Sequence, residues 1–64
     1  MKFNFYAYLD NAAFEDNPAF ELARIMRETA DKIEQSGEIP AYYQNVRDYN
    51  GNIIGRYAAK PETD

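Results

Sequence analysis

Asp10, Glu15 and Asp16 form a local cluster of carboxylates in this 64-residue chain. Two carboxyl groups at a fixed separation can share acid–base work of the glycoside-hydrolysing type. Nothing in this spacing fixes the separation, and acidic residues ahead of a helix more simply complement its dipole. The segment Asp48-Tyr49-Asn50-Gly51-Asn52 has the outline of a calcium loop. It offers one carboxylate, where such a loop needs several and a bidentate Glu; a hairpin turn is the expectation. Histidine and cysteine are absent. Their absence removes imidazole bases, zinc ligands, triads and disulfides. The single serine, Ser36, has no base beside it, and no Gly-rich phosphate loop or Gly-x-Ser-x-Gly is present. We expect no catalytic residue, no metal site and no cofactor: a binding protein rather than an enzyme.

Six tyrosines among ten aromatic residues are then the candidates for function. Tyr and Arg are enriched at interface hot spots because they bury large area while keeping a polar tip. Tyrosines also simply suit sheets, so their placement decides between the two roles.

The elements that place them follow from periodicity. Residues 2–9 alternate: Phe3, Phe5, Ala7 and Leu9 share one face, and Lys2, Asn4, Tyr6 and Tyr8 the other. That is a strand with an apolar side and a tyrosine side. Residues 10–17 are a loop rich in Asn and Asp, with Phe14 expected to plug the end of the core. Asn17-Pro18 is a helix start, an N-cap followed by Pro in the first turn. Leu22, Ala23, Ile25, Met26, Ala30 and Ile33, with Thr29, make an apolar stripe, and Gly37 with Pro40 ends the helix near residue 35. At 1.5 Å per residue it spans about 27 Å.

Residues 41–48 and 52–59 are expected as two further strands. A two-residue Asn-Gly turn would set Val46 opposite Gly55. A three-residue loop pairs Asp48 with Asn52, gives Gly51 the left-handed position and sets Val46 opposite Ile54. Burial favours the second. It places Tyr42, Val46, Ile54 and Ala58 against the helix, and Tyr43, Arg47, Ile53, Gly55 and Tyr57 outside. Gly55 in a strand suggests a close approach or a bend.

The fold class expected is α+β, with order β-α-β-β. A three-stranded antiparallel sheet, order 1-3-2, carries the helix on one face. Residues 1–64 form a single domain with a polar, frayed tail at 60–64. One helix covers one side of a sheet, so the other side stays bare. Its residues, Tyr6, Tyr8, Tyr43, Tyr57, Arg47 and Ile53, are the expected partner-binding set.

The loop Asp10-Asn11-Ala12-Ala13-Phe14, the helix segment Glu21–Arg27 and the hairpin Arg47–Gly55 together resemble a family of short bacteriophage and prophage proteins, with a DNAAF loop and a DxNGN turn. The resemblance covers most of the chain and supplies no catalytic residue. It implies a mobile-element origin and a cytoplasmic setting in a bacterial host. By analogy, small acidic phage proteins often block host machinery, anti-CRISPR proteins among them. Seven basic against eleven acidic residues give a net charge of −4 and a pI near 4.6. That balance disfavours nucleic acid as a partner. No apolar run approaches a membrane span and no secretory leader pattern opens the chain. The expected function is therefore inhibition of a host defence or nucleic-acid-processing protein by occupying a site on it. The alternatives are an accessory protein that homodimerises through its tyrosine face and, less favoured, a single-strand nucleic-acid binder.

Overall fold

A computed structural model describes residues 1–61. The elements are β1 (Lys2–Ala7), a 3-10 turn (Ala12–Phe14), α1 (Pro18–Ser36), β2 (Gln44–Arg47) and β3 (Ile53–Lys60). The sheet has order β1-β3-β2 with both pairings antiparallel, and α1 packs on one face. The expected fold class and strand order are thus observed.

Local chemistry explains the helix bounds. The Asn17 side chain accepts the Phe20 N–H at 3.1 Å, Pro18 stands in the first turn, and Gly37 closes the helix at φ 72°, its N–H reaching the carbonyls of Ile33 and Glu34. The hairpin turn is the three-residue form: Asp48 N–H donates to the Asn52 carbonyl at 3.0 Å, Gly51 N–H to the Asp48 carbonyl at 3.0 Å, and Gly51 has φ 86°.

The pairing beyond the turn departs from expectation. Val46 lies opposite Gly55, not Ile54, while Arg47 lies opposite Ile53. Ile54 is the extra residue of a β-bulge. The bulge turns both Ile54 and Gly55 inward, and every residue after them changes side. Tyr57 lies opposite Phe5 and Ala59 opposite Phe3, on the helix side of the sheet. Arg56, Ala58 and Lys60 face outward, opposite Tyr6, Asn4 and Lys2. Tyr57 is therefore a core residue, 5% exposed, and not part of the bare face. Gly55 is required at the bulge: a Cβ there would sit 1.9 Å from the Tyr6 carbonyl oxygen.

The core joins Ala13, Phe14, Ile25, Val46, Ile54 and Tyr57, with Phe5, Ala7 and Ile33 packed against it. Phe14 plugs the end of the core as expected. Phe3 and Met26, expected inside, are 48% and 55% exposed. The reason is the placement of α1, which approaches the 3-10 turn and β2 rather than β1. The half of its stripe nearest β1 stays uncovered and leaves an apolar groove of about 390 Å³ lined by Phe3, Phe5, Met26, Thr29, Ala30 and Ile33.

Both short strands end earlier than their alternation suggests. β1 stops at Ala7, beside the bulge, although Tyr8 N–H still donates to the Ile54 carbonyl at 2.8 Å. Leu9 is exposed. β2 begins only at Gln44; Tyr42 precedes the strand and is not on its inner face. Ala59 N–H bonds the Pro40 carbonyl at 2.8 Å, after which the chain bends before rejoining β3. Lys60, expected in a frayed tail, is the last residue of β3, and its ammonium donates to the Ala41 carbonyl at 2.8 Å. Residues 62–64 of that expected tail lie outside the described residues.

Candidate functional site

Outward-facing residues of β1 and β3, together with the segment entering β2, build one connected row across the bare sheet face. Tyr8 and Tyr6 meet edge to face with ring centroids 5.8 Å apart. The Arg56 Nε–H donates to the Tyr6 hydroxyl at 3.2 Å. The Arg56 guanidinium carbon stands 4.9 Å from the Tyr43 ring centroid, and Lys60 Nζ stands 5.0 Å from the same ring. Lys60 Nζ is also 5.8 Å from the Tyr42 ring. From Tyr6 onward aromatic rings and cations alternate, and the contacts of Arg56 and Lys60 with the Tyr43 and Tyr42 rings are of the kind worth ~0.5–1 kcal/mol at an exposed site. Ala58, between these two cations on β3, has no exposed surface.

The tyrosines remain open to solvent. Tyr6 is 41% exposed, Tyr43 46% and Tyr8 67%. Between Tyr6, Tyr8, Asp10, Ile53 and Arg56 lies an open hollow of about 390 Å³, with the exposed Asp10 carboxylate at its wall opposite the Arg56 cation in charge. Ile53 and Arg47 stand at the turn end of the same face, where Arg47 Nη1 donates to the Gly51 carbonyl at 2.9 Å. Five of the six expected site residues, Tyr6, Tyr8, Tyr43, Arg47 and Ile53, therefore share the face, and Tyr57 does not. Sequence reasoning missed Arg56 and Lys60, the cations that link the tyrosines. The alternation of β3 carried a signal for them only once the bulge was placed.

Charge is segregated by element. Lys2, Arg47, Arg56 and Lys60, four of the seven basic residues, lie in strands, and none of the three strands contains Asp or Glu. Lys2 and Lys60 stand directly opposite each other. The ion pairs among the described residues, Arg24–Glu21, Arg24–Glu28 and Lys32–Glu28, all lie within α1. The Tyr6 hydroxyl bond holds Arg56 further toward its charged form.

No family model, curated protein or solved structure matches this chain.

The buried carboxylates serve the fold. Glu21 accepts both Nε–H and Nη2–H of Arg24, at 2.6 and 2.9 Å, and the Tyr49 N–H at 2.9 Å, tying the helix to the hairpin turn. Asp48 accepts the N–H groups of Asn50 and Asn52, each at 2.9 Å, and the Asn11 side-chain amide. The Arg24 hydrogen bonds lower the pKa of Glu21 against the opposing effect of burial. For Asp48, burial is the largest influence and raises it, but bonds from Asn52, Asn11 and Asn50 together leave it below the usual carboxylate value. Both are fixed as anions at neutral pH, the reverse of a general acid with a raised pKa. Asp10, Glu15 and Asp16 are exposed. Among the described residues no group of three or more acidic, His or Cys side chains is placed to hold a metal ion. No described helix is long and apolar enough to cross a membrane.

Proposed function

We propose that this chain is a non-catalytic binding protein that docks an anionic partner on the outer face of its sheet and acts by occupying it. The observation that carries the reading is the row Tyr8–Tyr6–Arg56–Tyr43–Lys60, exposed except for the half-buried Lys60 and free of acidic strand residues, on a face that no described element covers. Exposed Tyr and Arg in contact are the composition of interface hot spots. A homodimer through this face is disfavoured by electrostatics. A two-fold interface sets the same patch against itself, and here that brings like charges together.

A second reading uses the opposite side of the molecule. The exposed acids Glu28, Asp31 and Glu34 lie on α1, on the other side of the sheet from the basic outer row. An anti-CRISPR-like inhibitor could present them to a basic groove of a host defence or nucleic-acid-processing protein, in a bacterial cytoplasm. The acids of α1 and the tyrosines of the outer sheet face then belong to different faces and anchor different interfaces.

Capture from bacterial lysate separates the two. The pair Tyr8→Ser, Arg56→Gln should lose the partner that the parent chain retains, while Asp31→Lys, Glu34→Lys should keep it. The opposite pattern moves the interface to the helix and overturns the sheet-face reading.

A further inference from the structure

We infer that the anionic partner of the outer sheet face is single-stranded nucleic acid, with bases stacking on Tyr8, Tyr6 and Tyr43 and phosphates held by Arg56, Lys60 and Lys2. The inference rests on the sheet-face reading above and names the ligand of that site. The net charge of −4 argues against nucleic acid only if charge is spread evenly, and it is not. The acids of the described residues lie in the helix, turns and loops, with Asp10 at the wall of the hollow, while the charged residues of the strands are all basic. Electrostatic capture of a phosphate chain is a local matter, screened beyond about 8–10 Å at ordinary salt.

Three features distinguish a single strand from other anions. From Tyr6 onward rings and cations alternate along one row, Arg56 bonded to the Tyr6 hydroxyl and both Arg56 and Lys60 within 4.9 to 5.0 Å of the Tyr43 ring, and a single strand offers bases and phosphates in alternation. The rings are exposed and the hollow beside Tyr8 and Tyr6 is open, so an unpaired base has a planar partner and room to lie. A duplex hides its base faces and an acidic protein surface has no flat rings in register with its charges. Finally, Lys2 and Lys60 stand at paired positions of β1 and β3, with the Lys60 ammonium turned toward Ala41 and Tyr43, so the strands carry cations to both sides of the row's end.

Fluorescence anisotropy with labelled oligo-dT and oligo-rU of about ten nucleotides tests this. Controls are a base-free deoxyribose-phosphate strand of the same length, a duplex, and polyglutamate. The intact strands should bind in preference to the base-free strand and the duplex. Tyr8→Ser should weaken their binding by roughly 5- to 150-fold, the range for one lost base–aromatic stack. It should leave binding of the base-free strand unchanged. Plots of log affinity against log salt should have a slope near −2, and the pair Arg56→Gln, Lys60→Gln should reduce its magnitude by about 1.4. Equal affinity for intact and base-free strands overturns the inference. So does binding of polyglutamate without oligonucleotide; if the Arg56→Gln, Lys60→Gln pair abolishes it, the sheet-face reading survives. Binding that no sheet-face variant alters overturns both, whereas the absence of all binding overturns the inference and leaves the sheet-face reading to the lysate capture.

Discussion

Tyr57 and Tyr8 belong to one sheet and answer to opposite demands. Tyr57 sits on the helix side with its ring 6.1 Å from both Phe3 and Phe5, covered on all sides by the core. Tyr8 sits on the other side, its ring edge to face with Tyr6 and two-thirds open to solvent. A strand reading that counts alternate residues from the hairpin assigns both to the outer face. The single extra residue at Ile54 separates them. A tyrosine's role is thus set by the phase of its strand, and the phase by one bulge.

The sharpest test of that difference is truncation. Tyr57→Ala should cost about 3–5 kcal/mol, the range for removing a buried aromatic. A domain of this size has only about 3–10 kcal/mol to lose, so the variant should be largely unfolded in thermal or urea melts. A Tyr57→Ala protein that melts like the parent would mean that the ring is not in the core and that the two tyrosines are equivalent after all.

Next in size is the bulge itself. Gly55→Ala drives a methyl into the Tyr6 carbonyl and the Ala7 backbone, neither of which can move without parting β1 from β3. The cost should reach the top of the roughly 1–3 kcal/mol range of overpacked sites. Amide exchange should show faster exchange in β1 than in β2. Uniform loss of protection across all three strands would place the strain elsewhere.

Much of this architecture was legible from residue types. Asn17-Pro18 and Gly37 bound the helix because caps act over three or four residues, and Asp48 with Gly51 specify the turn for the same reason. Strand order followed from chain direction. The bulge was not legible, since both Ile53 and Ile54 suit a strand and nothing local says which one lacks a partner. The bond from the Tyr49 N–H to Glu21 joins residues 28 apart, beyond any local pattern. The exposure of Met26 beside the fully packed Ile25 depends on where α1 settles over the sheet, which periodicity does not encode. The candidate site shows the same split. Tyr6, Tyr8 and Tyr43 were found by alternation near a strand start, whereas Arg56 and Lys60 were lost beyond the bulge.

A smaller contrast concerns the charges inside and outside. Glu21 and Asp48 have pKa values below 4.5 and 3.8, the ordinary values for Glu and Asp. Such groups stabilise the fold fully above their unfolded pKa values, and the contribution is lost as the pH falls through the lower folded ones. Melting temperature should therefore hold from neutrality down to about pH 5 and then decline. Asp48→Asn should flatten that decline, because its amide does not titrate, at the cost of a lower melting temperature at pH 7. A variant with an unchanged acid profile would remove Asp48 from the account and leave Glu21 to explain it.

The smallest expected change is on the outer face, and it completes the contrast with Tyr57. Tyr8 is more than half exposed and lies beyond the end of β1, so Tyr8→Ser removes little buried area. Its ring makes one edge-to-face contact with Tyr6, and surface substitutions of this kind usually stay within about 0.5 kcal/mol. Melts of Tyr8→Ser should therefore overlay the parent within that margin. Tyr6→Phe probes the row more finely. It keeps the ring, and with it the packing against Tyr8, but removes the hydroxyl that accepts the Arg56 Nε–H. Stability should again be nearly unchanged, while Arg56 loses the bond that orients it between Tyr6 and Tyr43. If Tyr8→Ser or Tyr6→Phe unfolded the chain as Tyr57→Ala should, the outer row would be part of the scaffold. A row that can be altered without loss of the fold is one whose residues are free to serve a partner.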